Sequence, residues 1–202
     1  MIAQAKPKNG NTKLPPPAGC THHVGLDQSY TGTGLVILDH TGALIDHHLI
    51  KTKPGATPME AVDRLGSIFD QVKKAILSTT TQDSVVSLVM EDFAFGQANQ
   101  MAALGGLGWH LRYRLARETP WHFATCPVGT LKKFATGLGN AKKDQMLLGV
   151  YKRWGFEAPD DNVADAYALA KLCWILYAQP PEGIHGVRKD DTGSAARTTI
   201  YR

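Results

Sequence analysis

By its sequence pattern the chain is an α/β domain: a mixed five-stranded sheet with helices on both faces. Three observations predict it. Residues 23–28, 33–39 and 43–51 are short strand-like runs in close succession, the last two joined by the turn Asp39-His40-Thr41-Gly42, so the sheet opens with antiparallel strands. From Met59 the periodicity changes: Val62, Leu65, Phe69, Val72 and Ile76 recur at three- and four-residue spacing, as on one face of an amphipathic helix. The run 85–91, Val-Val-Ser-Leu-Val-Met-Glu, is apolar on both faces, as expected of a central strand covered on each side.

The elements follow in order. The first helix is predicted over 58–79, with Thr57 or Pro58 near its start, since a hydroxyl cap and an early proline suit a helix N-terminus. After the central strand come a helix over 97–117 and a short strand over 121–125. Helices near 127–136, 142–154 and 161–178 close the domain. No internal repeat appears and no linker interrupts residues 21–179, the expected domain. Residues 1–20, with Lys6, Lys8, Lys13 and Pro15-Pro16-Pro17, read as a disordered basic tail. Residues 180–202, with Arg188, Lys189, Arg197 and Arg202 among Gly, Ser and Thr, read as a second flexible basic tail.

Composition narrows the function classes. A length of 202 residues suits one full core and is short for two. Hydrophobic residues at 43% with charged residues at 20% describe a soluble globular chain. The formal charge of +4 suits an anionic partner without requiring one. No apolar run approaches the roughly 20 residues of a membrane span. The N-terminus lacks the apolar segment of a secretory signal. Cys20, Cys126 and Cys173 are odd in number and contain no CxxC pair. They fit small buried residues in a reducing cytoplasm better than a disulfide frame or a zinc knuckle.

Three acids stand in costly places. Asp27 lies in the first apolar strand, Glu91 closes the central strand, and Asp165 lies within the last helix. An acid beside buried apolar groups needs a cation or hydrogen bonds to offset its desolvation. Gathered together, three such acids make an oxygen-rich pocket for a divalent hard cation. At 100° per residue, Leu169, Leu172 and Leu176 fall within about 40° of Asp165, so Asp165 points with an apolar stripe. Asp161 is one turn earlier and Asn162 three residues earlier, and either adds an oxygen near Asp165. Asp161 alternatively caps the helix. Adjacent residues on a strand face opposite ways, so the pairs His22-His23 and His47-His48 read as structural or surface groups and not as chelators.

On these residues the chain resembles the RNase H-like superfamily, and within it the RuvC-type Holliday junction resolvases. The matching strings are Val24-Gly25-Leu26-Asp27-Gln28-Ser29 with Thr33-Gly34-Leu35-Val36, then Met90-Glu91-Asp92-Phe93, and Val163-Ala164-Asp165-Ala166-Tyr167-Ala168-Leu169-Ala170. The Gly-containing basic stretch 131–145 resembles one that binds DNA phosphates. The resemblance spans about 22 to 178. One position departs from it: three residues before the last aspartate the family carries a carboxylate or a histidine, and this chain has Asn162, with Asp161 beside it.

The resemblance implies phosphodiester hydrolysis assisted by two Mg2+ ions about 4 Å apart, with Mn2+ as a substitute. Asp27 would bridge both ions and Glu91 and Asp165 would each hold one. Asn162 or Asp161 would take the fourth position. Asp92 should face away from Glu91 in an extended strand. Lys132 and Lys143 match the family's phosphate-binding lysines, with Lys133 and Lys142 as neighbouring candidates. Phe95 is the candidate for a wedge between bases at a junction centre, with core packing as its alternative. The expected activity is a crossover junction endonuclease acting as a homodimer on branched DNA. Gly105, Gly106 and Gly108 would permit close helix approach at a dimer seam, although burial within one copy explains them equally. Alternatives with the same acids are a nuclease for RNA–DNA hybrids or flaps, or a junction-binding protein that does not cut. A sugar-kinase-like phosphate loop at 27–34 would need about twice this length.

Overall fold

The structure, a computed structural model, describes residues 19–92, 98–177 and 199–201. Most of both predicted tails, and Phe93 and Phe95, lie outside the described residues. Strands β1 (His22–Asp27), β2 (Thr33–Asp39) and β3 (Leu44–Ile50) come first, then helix α1 (Pro58–Leu77) and strand β4 (Val86–Glu91). Helix α2 (Ala98–Glu118), strand β5 (His122–Cys126) and helices α3 (Val128–Thr136), α4 (Lys143–Trp154) and α5 (Asp161–Tyr177) follow. The five strands foreseen from the pattern are joined by a sixth, β6 (Thr199–Tyr201). It pairs antiparallel with β5 and comes from the segment read as a tail.

The sheet order is β3-β2-β1-β4-β5-β6. The first two hairpin pairs are antiparallel, while β1–β4 and β4–β5 are parallel. Turn and cap chemistry explain the local breaks. The Asp39 carboxylate accepts hydrogen bonds from the Thr41 and Ala43 amides in the β2–β3 turn, and Gly42 takes the left-handed φ of 82° there. At the start of α1, Thr57 accepts from the Glu60 amide while Glu60 accepts from the Thr57 amide, a reciprocal cap.

Alternation along each strand sends side chains to two cores. Val24, Leu26, Leu35, Ile37, Leu88 and Met90 pack against α1 and α2. Val36, Leu38, Val89, Ala124 and Cys126 pack against α3, α4 and α5. Asp27 and Glu91 share the parity of the second set, so both face α5. The three cysteines are buried, as their reading as small core residues expects. Among the described residues no helix is long and apolar enough to cross a membrane.

Helix α5 departs from the single stripe that its leucines suggested. Val163, Ala164, Ala166, Ala168, Leu169, Ala170, Leu172 and Cys173 are all fully buried, which covers most of its circumference. The helix lies on β1, β2 and β4 and is itself covered by α3 and α4, so almost every direction from its axis is interior.

Candidate active site

Two glycines set the approach of α5 to the sheet. A Cβ on Gly25 would lie 1.9 Å from the carbonyl oxygen of Ala166, and one on Gly34 would lie 2.1 Å from that of Asn162. With no side chain at either place, helix backbone rests directly on strand backbone. That contact brings Asp165 to the end of β1. Parallel pairing carries β1 and β4 forward together, with Leu26 beside Met90, so Asp27 and Glu91 emerge as neighbours.

The electrostatics record how close the acids are. Asp27 is only 6% exposed. Burial pushes its carboxyl well above the usual range, and the charges of Glu91, Asp165 and Asp161 push it further. Burial, then the Asp165 charge, raises Glu91 to about 7, while a hydrogen bond from Asp27 and the nearby Lys132 act against the rise. Burial, then Asp161, raises Asp165 to about 6, with Lys132 and Lys143 opposing. One buried oxygen of Asp165 has no hydrogen-bond partner.

The residues fit a bound divalent cation in donor type and in charge. The carboxylates are hard oxygen donors, they repel one another, and one has a buried oxygen with no hydrogen-bond partner. They do not form a finished cage: among the described residues no group of three or more His, Cys, Asp or Glu stands ready to hold a metal ion.

Around this trio the sequence candidates separate. Asp161 forms an ion pair with Lys143 and acts electrostatically on both Asp27 and Asp165. Asn162 turns elsewhere: its side-chain amide donates to Asp160 at 2.7 Å, and its backbone amide donates to the same oxygen at 2.8 Å. Asp160 is therefore the helix cap, one residue before the Asp161 considered for that role. Asp92 faces away from the trio and pairs with the buried Arg112 at 2.9 Å.

The basic stretch also divides. Lys132 is half-buried and stands beside Glu91 and Asp165, and Lys143 holds Asp161. Lys133 and Lys142 are exposed, with the Lys142 amide donating to Gln145 at 2.8 Å where α4 begins.

Two contributors were not visible in the pattern. Gln28 is buried and donates to the Glu91 carbonyl at 3.2 Å, extending the link between β1 and β4 past their last paired residues. Arg64, on α1, donates to the Tyr30 carbonyl just past Asp27 and to the Thr52 hydroxyl and carbonyl at 2.8 and 3.0 Å. Neither position is marked by spacing. Asp160 had a usable signal, an Asp just ahead of a predicted helix.

No family model and no curated protein matches the chain. Solved structures do. A structure of Thermus thermophilus RuvC is similar at a TM-score of 0.61 and 18% identity, covering 89% of this chain and 99% of that one. Thermus thermophilus RuvC in complex with a Holliday junction substrate is similar at 0.58 and 21% identity, covering 74% and 90%. At these identities the likeness speaks to architecture, and the chain has the RuvC-type, RNase H-like fold.

Proposed function

We propose that the chain is a metal-dependent, structure-selective endonuclease that resolves four-way or branched DNA junctions by phosphodiester hydrolysis. The observation that carries this reading is the convergence of Asp27, Glu91 and Asp165 from β1, β4 and α5 at one end of the sheet, with pKa values raised by burial and mutual repulsion. The similar Thermus thermophilus RuvC was solved with a Holliday junction substrate, which supports the choice of branched DNA.

Asp27, Glu91 and Asp165 would hold Mg2+, with Asp161 nearer the fourth position than Asn162. Mn2+ would substitute. The bound metal would supply an activated water and charge stabilisation at the leaving oxygen. The chain's own part is positional. Rigid strand ends fix Asp27 and Glu91, α5 fixes Asp165, and Lys132 beside the acids favours their charged forms. Lys132 and Lys143, with Lys133 and Lys142, would draw the DNA backbone to the site. Trp109 and Tyr113, exposed by 62% and 63% one helix turn apart on α2, support a homodimer seam there, suited to a substrate that needs two symmetric cuts. The proposed location is the cytoplasm of a bacterium or of a phage-infected cell.

A second reading, junction binding without cleavage, is favoured by one observation: Asn162 commits its amide to Asp160. A synthetic four-way junction with Mg2+ or Mn2+ separates the two. The wild-type chain should release nicked duplexes, while Asp27→Asn should bind the junction without cutting it. Equal cleavage by that variant sinks the metal-site assignment. Faster cutting of an RNA–DNA hybrid or a flap in the same panel would move the substrate.

A further inference from the structure

We propose that Lys51 and Lys53, on the loop between β3 and α1, form a second phosphate-contact site on the opposite flank of the acids from the α3–α4 lysines. The inference rests on the nuclease reading and extends its DNA path.

Register places the loop. Asp27 is opposite Gly34, and Gly34 is opposite Leu49, so the C-terminal end of β3 lies at the same end of the sheet as the acids. Lys51 follows the last residue of β3, and both lysines are exposed. The acids emerge from the central strands β1 and β4, β3 is at one side, and β5, which feeds α3, is on the other. Four strand spacings of about 4.8 Å separate β3 from β5, roughly 19 Å in all, or about five to six nucleotides of one strand. A backbone lying along the sheet end would then meet cations at both sides and the acids between them.

The loop is pinned, which suits it to fix a register. The Arg64 guanidinium binds Thr52 through both its hydroxyl and its carbonyl, and binds the Tyr30 carbonyl in the loop that leaves Asp27. It also lies 5.0 Å above the Tyr30 ring. One side chain thereby ties the loop bearing the lysines to the loop that follows the first acid. On the far side Gly55 abuts the first turn of α1, where a Cβ would come within 2.7 Å of the Ala61 amide. The Ala56 amide donates to Glu60 at 2.6 Å. Glu60 is occupied in this way as a cap. With Arg64 the two lysines line an open depression of about 470 Å3, to which Glu60 and Asp63 also contribute.

The test is binding of a fluorescent four-way junction by the full chain in EDTA across a salt series, with Lys51→Gln/Lys53→Gln compared with Lys132→Gln/Lys143→Gln and wild type. Each lost phosphate contact should lower the slope of log affinity against log salt by about 0.9. The Lys51/Lys53 variant should bind at least fivefold more weakly at 100 mM salt, with a slope lower by about 1.8, while its cleavage rate at saturating junction and Mg2+ stays within twofold of wild type. Wild-type affinity and slope in that variant would overturn the inference and leave the nuclease reading standing, provided the Lys132/Lys143 variant is weakened. Absence of junction binding by the wild-type chain would overturn both.

Discussion

Gly25 and Ala166 meet backbone to backbone: a Cβ on Gly25 would lie 1.9 Å from the Ala166 carbonyl oxygen and 2.3 Å from the Ala170 amide. No side-chain motion relieves such an overlap, because both partners are main chain within regular elements. Gly25→Ala must therefore push α5 off β1. The expected cost is more than about 3 kcal/mol, in the range of severe overpacking and broken backbone contacts. Urea unfolding monitored by circular dichroism measures it. A loss under 1 kcal/mol would mean that the helix sits farther from the sheet than described.

Asp165 should trade stability for function. Its pKa is raised from the ordinary aspartate value to about 6, so at pH 7.5 the folded chain holds a charge that it disfavours. Asp165→Asn removes that charge, and in EDTA the variant should be more stable than wild type by on the order of 1–3 kcal/mol. The gain should shrink as pH falls from 6 towards 4, where wild-type Asp165 becomes protonated in the folded state. Mg2+ should raise the melting temperature of wild type and do little for the variant. Differential scanning calorimetry with and without the metal checks both statements.

Neighbouring acids should behave oppositely. Glu91→Gln is expected to abolish cleavage while leaving the fold intact, since Glu91 belongs to the mutually repelling trio. Asp92→Asn breaks the pair with Arg112, which is only 4% exposed. It should lower stability by about 1–3 kcal/mol, as expected when a buried cation loses one of its charged contacts. Its cleavage rate should stay within a few-fold of wild type well below its melting temperature. Junction cleavage and thermal melting on the same two preparations decide the matter.

At the other end of β1, His23 should make the fold acid-sensitive. It is fully buried and shares a 2.9 Å hydrogen bond with Ser87. Burial, then the neighbouring His22, lowers its pKa from 6.5 to about 4. Above pH 6.5 the ring is neutral in both folded and unfolded chains and costs nothing. Between 6.5 and 4 the unfolded chain takes up a proton that the folded chain refuses, so stability falls as pH falls. By pH 5 the contribution is about 2 kcal/mol. His23→Gln should flatten that part of the profile of urea midpoint against pH, and an unchanged slope would show that other groups carry the acid sensitivity.

The order of elements was legible because it depends on local periodicity. Short apolar runs bounded by turn residues mark β1 to β4, and the spacing of three and four along α1 follows from how a helix presents its side chains, whatever surrounds it. The acids were legible because a charge inside an apolar strand is costly unless something compensates it. The leucine stripe marks the direction of Asp165 less sharply than its spacing suggests. Helix α5 is buried nearly all round, so its leucines did not single out one direction.

The sequence by itself determined the α/β architecture and the strands and helices to within a few residues, and it marked Asp27, Glu91 and Asp165 as acids in costly apolar surroundings. Only the tertiary structure decided that Gly25 and Gly34 seat α5 against the sheet, that Asp160 and not Asp161 caps it, and that Asn162 turns to Asp160 while Asp161 joins Lys143. It also decided that Lys132 stands at the acids while Lys133 faces solvent, that Arg64 joins two loops, and that a sixth strand lies beside β5. The physical reason differs between them. The Asp160 cap is local, two residues from Asn162, and spacing alone did not choose between adjacent acids. The other contacts depend on which atoms meet across long stretches of chain, which neither helical nor strand spacing encodes.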